Sequence, residues 1–273
     1  MCNEQEIIES ISKQQKTSEK LSEYKNLVRD VTNFCKESTV GRDVTHNHEH
    51  MTAVRENATR LYKESLHSKT YEDYFDHEWT ILYLLTAAAQ FHDIMDHKYI
   101  EYNSIQYKKV EKEMSDLLLK YLTKMECSAV VDLIIPRISY SWENKMRNQT
   151  NNEFDVTTAT FWNQYFVPTS TNPFDVIKLA LSARHFVSDA DKHEAIGVKG
   201  SKRCEAFARE RHPDASDSEI NKMVIEHHNE KLLRLLPDGF FQTKAGIKAA
   251  KPLHDEMVEY VDSLCSDQVI LTN

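Results

Sequence analysis

Residues 81–91 read ILYLLTAAAQF, and the next two residues are His92 and Asp93. Leu82, Leu85 and Ala89 recur at three- and four-residue steps. Such a stretch forms a helix whose apolar stripe points along the axis to the His-Asp pair, and a helix is predicted over residues 74–92. Two ionisable groups at the inner end of a buried helix need a partner or a metal ion. The alternative is a helix C-terminus that emerges into solvent, where a histidine only complements the helix dipole.

The rest of the chain points to an all-α fold. Of 273 residues only 5 are Gly and 6 are Pro, which leaves few turn formers for a many-stranded β fold. Leu21, Tyr24, Leu27, Val28, Val31 and Phe34 mark an amphipathic helix over 20–37, broken by STVGRDVT at 38–45. Another is predicted over 45–66, with Val54, Ala58 and Leu61 in line with His50 and Thr45 available as N-cap. Further helices are predicted over 103–123, 126–136, 173–189, 201–211, 216–236 and 243–265. From Ser139 to Asn172 the pattern fails. Asn and Thr abound there, and Trp142, Phe154, Phe161, Trp162, Tyr165 and Phe166 are dispersed through the stretch. It reads as a long lid with little regular structure, or as the face of a homodimer. The expected organisation is a polar extension over 1–18, one helical domain over 19–266 and a tail over 267–273.

Charge and cysteine usage narrow the function classes. The net charge of −9 disfavours stable nucleic-acid binding or adsorption to an anionic membrane, but leaves room for a local basic pocket. The five cysteines are scattered and form no CxxC, which argues against a disulfide framework or a thiolate zinc site. No apolar run is long enough to span a bilayer, and the polar N-terminus lacks a secretory pattern. A soluble, cytoplasmic protein is expected.

Two more elements carry chemistry. In His46-Asn47-His48-Glu49-His50, His46 and His50 lie one turn apart on one helix face, a spacing that suits a shared pocket and equally an exposed helix start. In residues 187–200, VSDADKHEAIGVKG, Asp189 and Asp191 sit between apolar flanks as caps or metal ligands. Gly197 and Gly200 imply a turn or close helix packing.

In chain order these elements give His50, then His92-Asp93, then Asp191. This helical H…HD…D order resembles that of the HD-domain metal-dependent phosphohydrolases. The likeness is greatest to the bacterial and fungal branch that looks like nucleotide pyrophosphohydrolases. That branch has H-x-x-x-H, matched by His46 to His50; HDIxD, matched by His92-Asp93-Ile94-Met95-Asp96; and DADRxDAIG, matched by residues 189–197. His228-Asn229-Glu230-Lys231 resembles a later motif, and the resemblance spans about residues 20–264. The chain departs from the pattern at Lys192, where arginine is usual, and at His193-Glu194, where Leu-Asp is usual. Lysine and arginine do not bind phosphate in the same geometry.

The resemblance implies an HD-type helical bundle holding one divalent ion, Mn²⁺, Fe²⁺, Ni²⁺, Zn²⁺ or Mg²⁺, on His50, His92, Asp93 and Asp191. It implies that Asp96 positions or deprotonates water, and that His46 holds water or touches the leaving group. Lys98, Lys192 and Lys231 would contact phosphate, and Asp189 would orient a ligand histidine. The expected reaction is hydrolysis of a nucleoside triphosphate to monophosphate and pyrophosphate by a metal-activated water. Alternatives on the same fold are a nucleotidase, a cyclic-nucleotide phosphodiesterase and a catalytically inactive binding module. A diiron oxygenase needs further histidines between the HD pair and the last Asp. Here only His97 and His185 lie between them, and His97 is too close to the pair.

Overall fold

A computed structural model of the chain describes residues 4–66, 78–148 and 173–271. Its regular elements are α1 (Glu4–Ser38), α2 (His48–Leu66), α3 (Glu78–Phe91), α4 (Ile105–Leu118), α5 (Lys124–Ser128), α6 (Tyr140–Asn148), α7 (Pro173–Ala195), α8 (Gly197–Arg211), α9 (Asp217–Glu230) and α10 (Lys244–Leu271). Short π and 3₁₀ turns join some of them. No strand occurs among the described residues, so the expected all-α architecture is the one observed. No helix among them is long and apolar enough to cross a membrane.

Helix α3 forms the centre. All residues from Ile81 to Phe91 are buried, as expected for a helix that is apolar all round. Helices α1, α2 and α7 pack against it. They contribute Leu27, Val31 and Cys35, then Met51, Val54, Ala58 and Leu61, then Val176, Ala180, Ala183 and Val187. A second apolar cluster, built on Leu232, Leu235, Phe240, Phe241, Ala250 and Met257, lies under α10.

Several boundaries differ from expectation. Helix α2 starts at His48 because the Asn47 side chain, not Thr45, accepts from the backbone N–H groups of Glu49 and His50 (3.1 and 3.0 Å). The helix expected over 126–136 begins as α5, opened by a capping box between Thr123 and Glu126. It then loosens into a π turn (Ala129–Ile134) and a 3₁₀ turn (Ile135–Arg137). Pro136 has no N–H to continue an α ladder.

The largest correction concerns the lid. Its first part is not irregular but forms α6, opened by Ser139, whose hydroxyl accepts from Trp142 N (3.2 Å). Glu143 of α6 is buried and receives Arg184 Nη2 (2.5 Å), Lys192 Nζ (2.7 Å) and the Ser188 hydroxyl (2.6 Å), all from α7. That ion cluster, made with partners remote in sequence, offsets the weak local pattern. Residues 149–172 of the expected lid lie outside the described residues.

Helix α7 runs past its expected end at 189 to Ala195. Gly197, at φ +77°, turns the chain into α8. The two helices meet so closely that a Cβ at Gly200 would lie 2.3 Å from the Ala195 carbonyl oxygen. Gly200→Ala is therefore expected to destabilise the fold by about 2–4 kcal/mol, read as a lower urea midpoint at unchanged slope. A pH effect comes from His185 on α7. Burial, reinforced by Arg184 and Lys192, pushes it down to about 4 from an ordinary 6.5. The unfolded chain then takes up the proton first. This contribution to stability is present above pH 6.5 and is lost as pH falls toward 4. Denaturation at pH 7 and pH 4 should show wild type losing about 1–3 kcal/mol more than His185→Gln.

Candidate metal centre

Asn47 caps α2 so that His50 falls in its first turn, on the buried side. Helix α3 ends at Phe91, and His92 and Asp93 occupy the tight turn that follows, closed by Ile94 N to Phe91 O (3.1 Å). Asp191 approaches from α7. His50 Nε2 lies 3.3 Å from Asp191 Oδ1 and 3.7 Å from Asp93 Oδ2. His92 Nε2 lies 3.4 Å from Asp93 Oδ2 and 3.6 Å from Asp191 Oδ1. The two imidazole rings meet edge to face at 5.3 Å. One ligand atom from each of His50, His92 and Asp93 falls within 4.8 Å of the others.

The protonation pattern suits a cation. His92 Nδ1 donates to the Ala89 carbonyl (2.8 Å), which directs Nε2 at the carboxylates as the position for a proton or a metal ion. That Nε2 is buried without a hydrogen-bond partner and faces the two carboxylates. Burial alone would lower His92, but Asp93 and Asp191 outweigh it and raise the group to about 9. For His50, burial dominates and the shift is downward. Asp191 is held well below the usual carboxylate range, because its two histidine partners overcome its burial. Two carboxylates in one buried site call for positive charge. A divalent ion bound by two imidazoles and two carboxylates meets that demand, so the residues present fit such a group.

A second polar cluster is built on the segment that follows the His92-Asp93 turn. His46 Nε2 lies 2.9 Å from Lys98 Nζ and 3.7 Å from Asp96 Oδ2, and Asp96 Oδ1 accepts from Lys98 N (2.7 Å). Lys231, just past α9, is half-buried with its ammonium 5.1 Å from the Tyr140 ring. Burial lowers its pKa while Asp191 opposes the shift and Lys98 adds to it, so its charge lies within reach of both clusters.

Two expected placements do not occur. Lys192 turns its ammonium away to Glu143 and Ser188 within the α6–α7 ion cluster. Asp189 does not orient a ligand histidine. Fully buried, it accepts from Gln242 N (2.7 Å), Thr243 N (2.8 Å) and the Thr243 hydroxyl (2.7 Å), fixing the entry to α10. Two positions apart on a helix, and so on nearly opposite sides of it, Asp189 and Asp191 face different neighbours.

The sequence reading missed Arg42, which donates through Nη1 to Asp93 O and through Nη2 to Ile94 O (both 2.6 Å) and lies over the Tyr99 ring. It clamps the turn that carries His92 and Asp93. It also missed Glu194, which receives Asn57 Nδ2 (2.6 Å) and pairs with Lys199 (3.1 Å), tying α2 to α8. The only signal for Arg42 was its place in a helix-breaking segment.

Comparison of the sequence with protein-family models finds no match, and no curated protein matches it. Solved structures do resemble the fold. Bacillus subtilis YpgQ in complex with ADP superposes with a TM-score of 0.54 at 19% identity, over 90% of this chain and 96% of that one. A Lactobacillus plantarum protein superposes with a TM-score of 0.56 at 18% identity, over 90% of this chain and 98% of that one. The chain thus shares the all-helical fold of these bacterial proteins over nearly their whole length.

Proposed function

We propose that the protein is a metal-dependent phosphohydrolase that splits nucleoside triphosphates into monophosphate and pyrophosphate. The observation that carries this reading is the convergence of the buried Nε2 atoms of His50 and His92 on the Asp93 and Asp191 carboxylates, at 3.3–3.7 Å. A nucleotide is favoured as substrate because lysines flank the cluster and because the B. subtilis neighbour was solved with ADP.

His50, His92, Asp93 and Asp191 would hold the ion. When bound, it supplies Lewis acidity toward phosphoryl oxygens and generates a nucleophile near neutral pH. The Lys98 and Lys231 ammonium groups offset phosphate charge as it builds in the transition state. Asp96, beside Lys98, orients the attacking water and accepts its proton, while His46 anchors the Lys98 ammonium. Arg42 keeps Asp93 in place through the backbone.

Adding Mn²⁺, Ni²⁺, Fe²⁺, Zn²⁺ or Mg²⁺ to metal-stripped protein is expected to raise Tm, with EDTA reversing the gain. His92→Ala/Asp93→Asn should lose both the Tm response and nucleotide hydrolysis. Equal metal binding by that variant would remove the site from consideration. Product analysis separates the reactions: pyrophosphate supports this reading, and orthophosphate alone points to a nucleotidase. Arg42→Met removes two charge-assisted hydrogen bonds from the Asp93 turn. It should weaken metal binding about tenfold by calorimetric titration while the chain stays helical by circular dichroism.

A further inference from the structure

The segment between α1 and α2 delivers more than a turn. Asp43 is nearly buried, and its carboxylate accepts from Thr45 N (2.8 Å), from the Thr45 hydroxyl (2.5 Å) and from the Tyr99 hydroxyl. The His46 ring packs beside it, with Nδ1 3.1 Å from Asp43 Oδ1 and 2.6 Å from Thr45 Oγ1. The Thr45 and Tyr99 hydroxyl protons are committed to Asp43, so the three oxygens facing Nδ1, those of Asp43, Thr45 and Tyr99 (3.5 Å), all present lone pairs, and Nδ1 must carry a hydrogen. The other face of the ring agrees. Lys98 Nζ, which only donates, stands 2.9 Å from Nε2, so Nε2 must be unprotonated. Lys98 is otherwise exposed, with its ammonium 5.9 Å from the Phe207 ring, and a long lysine chain in that setting samples many rotamers.

We propose that Asp43 is a positioning residue: it locks His46 in its Nδ1–H form, so that Nε2 accepts from Lys98 and holds that ammonium beside Asp96, in the segment that follows the His92-Asp93 turn, ready for an anionic phosphate group. The lock matters because the opposite tautomer would put an N–H against the ammonium and release it. Four donors on one carboxylate keep Asp43 ionised and in place, and its pKa is held well below the usual range despite burial, through Thr45, Tyr99 and His46. The phosphate part of this proposal rests on the function argued above, whereas the tautomer does not.

Two measurements on the full-length chain test it. The first is the ¹⁵N chemical-shift pattern of the His46 ring, assigned by its disappearance in His46→Gln. Protonated Nδ1 and bare Nε2 are expected in wild type, and a mixture of tautomers in Asp43→Asn. A wild-type ring protonated at Nε2 would overturn the proposal. The second is a double-mutant cycle on the affinity for inorganic tripolyphosphate. Asp43→Asn should weaken binding about tenfold in the wild-type background. It should have no further effect once His46→Gln supplies an amide that needs no tautomer. The same weakening in both backgrounds would show that Asp43 acts through the general fold and would sink the idea. If wild type binds no tripolyphosphate, the nucleotide reading falls, and the tautomer measurement alone decides the role of Asp43.

Discussion

The burial of α3 on every face is the constraint on which the rest of the structure depends. A helix with no polar side must be surrounded, and α1, α2 and α7 do so. Its C-terminal turn then opens inside the bundle. His92 and Asp93 have neighbours there in place of bulk water, and those neighbours are chosen by the helices that cover α3. His50 comes from α2 and Asp191 from α7, the two helices packed most extensively on α3 and on each other. The charged centre is thus a consequence of how the apolar core closes.

Helix α7 distributes charge in three directions within one turn. Asp189 fixes the start of α10, Asp191 faces the two histidines, and Lys192 joins Arg184 in holding Glu143 of α6. Successive residues on a helix are about 100° apart, so neighbouring charges serve different partners. Asp189 and Lys192 are buried and Asp191 partly so, and each is answered by opposite charge or by backbone N–H donors. Removing one partner from such a buried pair typically costs about 3–5 kcal/mol, far more than the net worth of the pair. The polar residues of α7 therefore hold the bundle together as well as furnishing its centre.

Around the His-Asp cluster the groups fall into two functional layers. Arg42 acts on the backbone of the HD turn, while Asp43, the next residue, acts on the His46 ring and through it on Lys98. A segment that ends one helix and precedes another is free of ladder hydrogen bonds. Its side chains can therefore reach both clusters without disturbing the core.

Much of the architecture could be read from local pattern. The three- and four-residue apolar steps located the helices, and the run at 81–91 located the most buried one. Where pattern misled, the cause was long-range. Glu143 made a helix of residues that looked like loop, because its partners Arg184 and Lys192 lie more than forty residues away. Lys192 was expected to contact phosphate because it stands where the resembled family has arginine, yet on the helix its ammonium reaches Glu143 and Ser188. Arg42 and Asp43 looked like punctuation because their partners, Asp93, Ile94 and Tyr99, are some fifty residues further on. The sequence by itself determined the helical class, the buried run and the order of its histidines and aspartates, since these depend on periodicity and residue type. Only the tertiary structure decided which side each charge faces, because that depends on which helix packs against it.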